Sequence, residues 1–202
     1  MGADQQIPTP AEAFAKEDLL QPQFSDYDND FEKQIFFAIN LVRHNPKTYG
    51  LAALNAGMTH VLAKKIKKGD LESFLKKCPP LPLVRYEDEA LQAVRKNNEA
   101  IIALAEATPT KGGNITAYNE VIGSDKTSAC EEYTMCQYMS DSAWEFVGIA
   151  MLLDWDRAGD LKGKTPILNK DVSRIGISNK SHPKTKNLIQ VLYVKSTLNV
   201  LD

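Results

Sequence analysis

The chain has 202 residues, 43% of them hydrophobic and 25% charged, enough apolar material to bury one substantial core. Its 24 basic and 26 acidic residues leave a net charge of −2, which supplies no general attraction to nucleic acid. No apolar run approaches the roughly 18 residues that cross a bilayer, so no transmembrane segment is expected.

In chain order, Met1-Gly2-Ala3-Asp4-Gln5-Gln6 has neither a basic n-region nor an apolar h-region. No secretory leader is readable there, and the expected location is cytoplasmic or cytoskeletal rather than secreted. Gln6 stands where an N-acylation acceptor wants Ser or Thr. Residues 1–29 carry Pro8, Pro10 and Pro22 among several Gln and Asp, and read as an extended N-terminal arm that cannot build a core of its own. Phe14, Leu19, Leu20 and Phe24 are its candidate anchors on a partner. A single domain, 30–202, is expected to follow.

Apolar residues at Phe31, Ile35, Ala38, Ile39 and Val42 keep helical spacing until Asn45-Pro46. A looser helical pattern covers 50–77 and is broken by Cys78-Pro79-Pro80-Leu81-Pro82, because consecutive prolines cannot continue a helix. Residues 87–107 predict a helix through Leu91, Val94, Ile101 and Leu104, Thr108 to Asn114 a loop, and about 140–154 a further helix. Val172 to Ser178 and Leu188 to Val194 alternate as strands, with Asn179 to Lys184 as the turn between them. Helices on a small, mainly antiparallel sheet make the fold class α+β.

Two charge clusters stand out: Lys64, Lys65, Lys67, Lys68, Lys76 and Lys77, and Asp26, Asp28, Asp30 and Glu32. Either is accounted for by a solvated face; read functionally, the lysines form a basic patch for an acidic partner surface. Cys78, Cys130 and Cys136 are odd in number and lack metal-type spacing, which reads as free thiols in a reducing compartment.

Four blocks in order carry a family resemblance: Ile35 to Pro46 with Tyr49; Leu81-Pro82-Leu83 with Leu91 to Val94; Tyr118-Asn119-Glu120-Val121-Ile122; and Asp154-Trp155-Asp156 through Ile167-Leu168-Asn169 to Arg174-Ile175-Gly176-Ile177-Ser178. Together they resemble the CAP (SCP-like) domain. The resemblance implies a CAP-like α-β-α sandwich behind the arm, with a central cleft lined in metal-binding members by two histidines and two glutamates. This chain departs from that pattern. Its only histidines are His44, His60 and His182, and none falls between Asn97 and Asn114, where the first cleft histidine belongs. Read without gaps, Gly163 stands at the second and Lys164 at its neighbouring Arg. Glu120 alone matches, and one carboxylate does not hold zinc tightly. No metal or other cofactor is therefore expected, and the degenerate cleft would comprise Asn98, Asn119, Glu120 and His182.

No histidine stands near Cys130 or Cys136 in sequence to activate a thiol, and no phosphate loop, zinc-finger spacing or dinucleotide fingerprint is present. The pattern points to a non-enzymatic structural and interaction protein. In this reading a degenerate CAP domain is built by its arm and lysines into a larger intracellular assembly, such as a microtubule-associated ciliary axoneme of a eukaryotic microbe, with tubulin or other axonemal proteins as partners. The alternative is a cleft-based binder of lipid, sterol or peptide, or a weak hydrolase.

Overall fold

The computed structural model describes residues 7–19, 27–61, 63, 66, 69–104, 112–125, 130–138, 140–157 and 165–196, and only the backbone of 131–138, 157 and 185. The chain forms two compact units, each assembled from three separated stretches: Met1–Gln21, Lys33–Leu81 and Asp141–Leu168 in one, Pro22–Glu32, Pro82–Ser140 and Asn169–Asp202 in the other.

The first unit is helical. Its opening helix α1, Pro10–Lys16, starts because Thr9 and Glu12 form a reciprocal capping box and Pro10 occupies the first turn. Phe14 on α1 is only 1% exposed, and its ring lies 4.5 Å from that of Phe37. The expectation that Phe14 anchors a partner is therefore corrected: this side chain is consumed in the chain's own core. Helix α2, Asp30–His44, buries Ile35, Ala38, Ile39 and Val42 at the predicted spacing, leaves Phe31 half-buried, and buries Phe36 and Phe37 besides. Asn45-Pro46 ends it in a π turn, Pro46–Gly50, in which Asn45 Oδ1 accepts from the Thr48 N–H at 3.0 Å.

The helical stretch expected over 50–77 is two helices, α3 at Leu51–Gly57 and α4 at Gly69–Lys77. Between them Thr59 turns back onto the Ala56 carbonyl, which its hydroxyl reaches at 2.7 Å. Helix α7, Ala143–Arg157, buries Trp144, Phe146, Val147, Ile149, Ala150, Met151, Leu152 and Trp155, and so is apolar around most of its circumference. It crosses α3 backbone to backbone: a Cβ on Gly148 would stand 1.9 Å from the Ala53 carbonyl oxygen. Arg43, wholly buried, donates from Nη1 to the carbonyl of Ile167 at 2.9 Å, which satisfies one of its donors inside the core.

The second unit carries a four-stranded mixed sheet in the order β1-β3-β4-β2, its strands being β1, Arg85–Tyr86; β2, Cys130–Tyr138; β3, Val172–His182; and β4, Thr185–Lys195. β4 pairs antiparallel with both β2 and β3, while the two-residue β1 pairs parallel with β3. The hairpin is longer than its sequence suggests. Lys180 and Ser181 stay paired with Leu188 and Asn187, so the turn shrinks to Pro183-Lys184. Helices α5, Asp88–Ala103, and α6, Gly113–Ile122, cover one face through Leu91, Val94, Ala117 and Tyr118 against Leu192 and Val194. Gly176 lets α5 sit directly on β3, since a Cβ there would meet the Ala90 carbonyl carbon at 2.3 Å. The architecture is α+β with a mainly antiparallel sheet.

Candidate functional site

The cleft expected around Asn98, Asn119 and Glu120 falls on α5 and α6 of the second unit. Gly112, at φ +83°, turns the chain into α6 without a side-chain cap. Gly113 follows where a Cβ would press on Asn97 Oδ1 at 2.8 Å. This close approach lets three amides link helices to sheet. Asn97 Nδ2 donates to Asn114 Oδ1 at 2.8 Å, and Asn114 Nδ2 donates to Gln190 Oε1 on β4 at 2.8 Å. Asn114 and Gln190 are wholly buried. Asn98, also wholly buried, turns the other way and donates from Nδ2 to Ser178 Oγ at 3.0 Å and to the Ser178 carbonyl at 3.3 Å.

Outside these amides runs a groove of about 280 Å³ lined by Lys96, Asn97, Ala100, Gly113, Thr116, Ala117 and Glu120. Lys96 Nζ and Glu120 Oε2 pair across it at 2.5 Å, both more than half exposed, so water screens the attraction heavily. Asn119 points elsewhere and donates to Asp125 Oδ1 at 3.3 Å. His182, near the hairpin end, is 5% exposed; its Nδ1 accepts from the Lys184 N–H at 3.1 Å. His182 Nε2 and Asn98 Oδ1 are buried with no hydrogen-bond partner among the described residues. Of the four residues expected to share a cleft, only Glu120 lines the groove.

A second polar cluster lies where α5 begins. Glu87 accepts from Arg174 Nη1 and, at 3.1 Å, from the Tyr118 hydroxyl. Burial raises its pKa, against the pull of the Arg174 charge. Cys130, beside it, is pushed up to about 11, first by burial and then by the Glu87 charge. Such a thiol stays protonated and inert at neutral pH. Among the described residues no group of three His, Cys, Asp or Glu side chains is placed to hold a metal ion.

The remaining expected contact residues scatter. Leu19 is half-buried and Lys77 exposed, while Lys76 pairs with Glu72 at 2.7 Å one helical turn away. Leu20, Phe24, Lys64, Lys65, Lys67 and Lys68 lie outside the described residues. Sequence reasoning missed Asn97, Asn114 and Gln190. Their signal was faint: two adjacent asparagines in a helical pattern, an Asn after two glycines, and a Gln amid an apolar strand. No helix among the described residues is long and apolar enough to cross a membrane. Comparison with protein-family models, with curated proteins and with solved structures returns no match in any of the three.

Proposed function

We propose that this chain is a non-catalytic structural and interaction protein. It is a degenerate CAP-like α-β-α domain held in a larger intracellular assembly, with the tubulin lattice of a ciliary axoneme as the assembly that best matches its lysine-rich segment. The observation that carries this reading is the amide chain Asn97–Asn114–Gln190, which links α5, α6 and β4 through two amide hydrogen bonds. Neutral amides are poor general acids and bases and weak metal ligands beside imidazole or carboxylate. The two hydrogen bonds between them tie α5, α6 and β4 to one another. Glu120, the one residue matching the family's site pattern, is paired at the surface with Lys96.

Fractionation of cells carrying a tagged copy tests the reading. A structural component stays in the salt-resistant cytoskeletal or axonemal material after detergent extraction. Complete recovery in the soluble fraction would overturn it and favour a ligand in the α5–α6 groove, the lipid, sterol or peptide binder. Zinc content of the purified protein is an independent check: one full equivalent would contradict a degenerate cleft.

A further inference from the structure

Residues 27–32 hold the edge of β3 beyond β1, where no further strand pairs among the described residues, in a manner that a helix start does not require. Asn29 caps α2 in the ordinary way, its Oδ1 accepting from the Glu32 N–H at 3.0 Å. Glu32 then reaches back with Oε2 to the Asp28 N–H at 2.9 Å. Its other oxygen leaves the helix and accepts from the Asn179 N–H at 2.6 Å, while Asn29 Nδ2 donates to the Asn179 carbonyl at 3.2 Å. Both backbone groups of Asn179 thus point away from β4 and are satisfied by two side chains that reproduce the donor and acceptor of a neighbouring strand. β1 does not extend that far; it pairs only as far as Ile175. In an antiparallel ladder alternate residues face the same edge, so the N–H of Ser181, an exposed residue, points out beside the backbone of Asn179; the register shifts between Ser181 and His182, where the regular edge ends.

Charge frames the same spot. Asp28 accepts from Arg95 Nη2 at 2.7 Å and from Lys180 Nζ at 2.6 Å, one cation from α5 and one from β3. All three side chains are about one-third exposed, so water screens these pairs and another carboxylate can compete for them.

We propose that the Asn179–Ser181 edge of β3 is a strand-addition site for an extended acidic segment of a partner protein, guarded in the free chain by residues 27–32 as an autoinhibitory plug. The plug displays the chemistry the edge recognises: one backbone-like donor and acceptor for Asn179, and carboxylate for Arg95 and Lys180. Proteins commonly block exposed edges against pairing, and extended peptides commonly dock by adding to such edges. The inference rests on the interaction reading above and names the partner as a glutamate-rich extended segment.

Binding of a short fluorescein-labelled glutamate-rich peptide to the full-length chain, followed by anisotropy, tests it. Asp28→Asn weakens the plug and is expected to tighten binding about tenfold. Adding Arg95→Gln and Lys180→Gln to that variant should return affinity below that of the wild type. Amide exchange provides a readout that does not depend on a variant folding: saturating peptide should perturb the wild-type Asn179 and Ser181 amides. Equal affinity of wild type and Asp28→Asn, or no change at Asn179, would overturn the proposal. So would concentration-dependent dimerisation of Asp28→Asn without peptide binding, which would assign the edge to a second copy. Salt-resistant retention in cells together with a negative peptide result would remove this inference alone and leave the interaction reading standing.

Discussion

Cys78 and Cys130 are both held above the ordinary thiol range, yet by environments that differ in access. Cys78 is half-buried, and its rise comes from burial, opposed by the nearby Arg43 charge. Cys130 is 6% exposed and raised to about 11 by burial and by Glu87. Alkylation tracks thiolate fraction and exposure. Iodoacetamide at pH 8 is therefore expected to label Cys78 well before Cys130, as read by peptide mass spectrometry. Early labelling of Cys130 in the folded protein would contradict its burial. Asp28 titrates in the opposite direction. Burial alone would raise it, but the hydrogen bond from Lys180 and the charge of Arg95 together outweigh burial and lower its pKa from the ordinary aspartate value. A carboxylate lowered on folding contributes stability that is present above its unfolded value of about 3.9 and is lost as pH falls through the folded value. The difference in melting temperature between wild type and Asp28→Asn should thus be constant above about pH 5 and close as pH falls below 4. A difference that widens on acidification would show that Lys180 and Arg95 do not stabilise Asp28 in solution.

Two helix contacts depend on glycine for access. Gly148 brings α7 against α3, with the Ala53 carbonyl where a Cβ would be, and Gly176 admits α5 onto β3. In each case the obstructing atoms are backbone, so relief requires an element to shift rather than a side chain to rotate. Gly148→Ala and Gly176→Ala are each expected to cost about 3 kcal/mol or more, measured by denaturant unfolding. Gly112→Ala, which meets no atom within 4 Å, should cost only the strain of its positive φ. Near-neutral values at 148 and 176 would mean the helices sit farther apart. Gly176 was not legible as a contact point, because between Ile175 and Ile177 it fits the alternation of an ordinary strand. The elements with strong periodicity were legible, namely α2, α5 and the cores of β3 and β4, and α7 was legible from its run of apolar residues. Helix α6 was not, because Gly112-Gly113-Asn114 reads as loop until the amide pairing of Asn114 gives its first turn a reason to form. β2 was missed because Glu131 and Glu132 stand side by side and break the alternation that marks a half-buried strand. The clasp on β3 was invisible for a related reason. Asp28, Asn29 and Glu32 look like an acidic helix start, and nothing local reveals that Asn179, about 150 positions away, completes them.

At the scale of the molecule the chain does not divide as its linear reading divides it, into an arm and one following domain. It passes from one unit to the other after Gln21, Glu32, Leu81, Ser140 and Leu168. One of these crossings falls inside α2, which carries Glu32 in one unit and Lys33 in the other without a break in the helix. Neither unit is a contiguous stretch that could fold from a fragment. Unfolding either one would free the ends of segments that the other must hold in place, and a helix cannot melt through Glu32 without loosening Lys33. Interleaving of this kind couples the two units through the covalent chain, whatever the contacts between them. Thermal unfolding is therefore expected to be one cooperative transition, with coincident curves from backbone and aromatic circular dichroism. Limited proteolysis should yield no stable fragment that retains the sheet but lacks Lys33–Leu81. Two separated transitions, or a protected fragment beginning near Pro82, would show that the second unit stands alone and that α2 serves only as a tether.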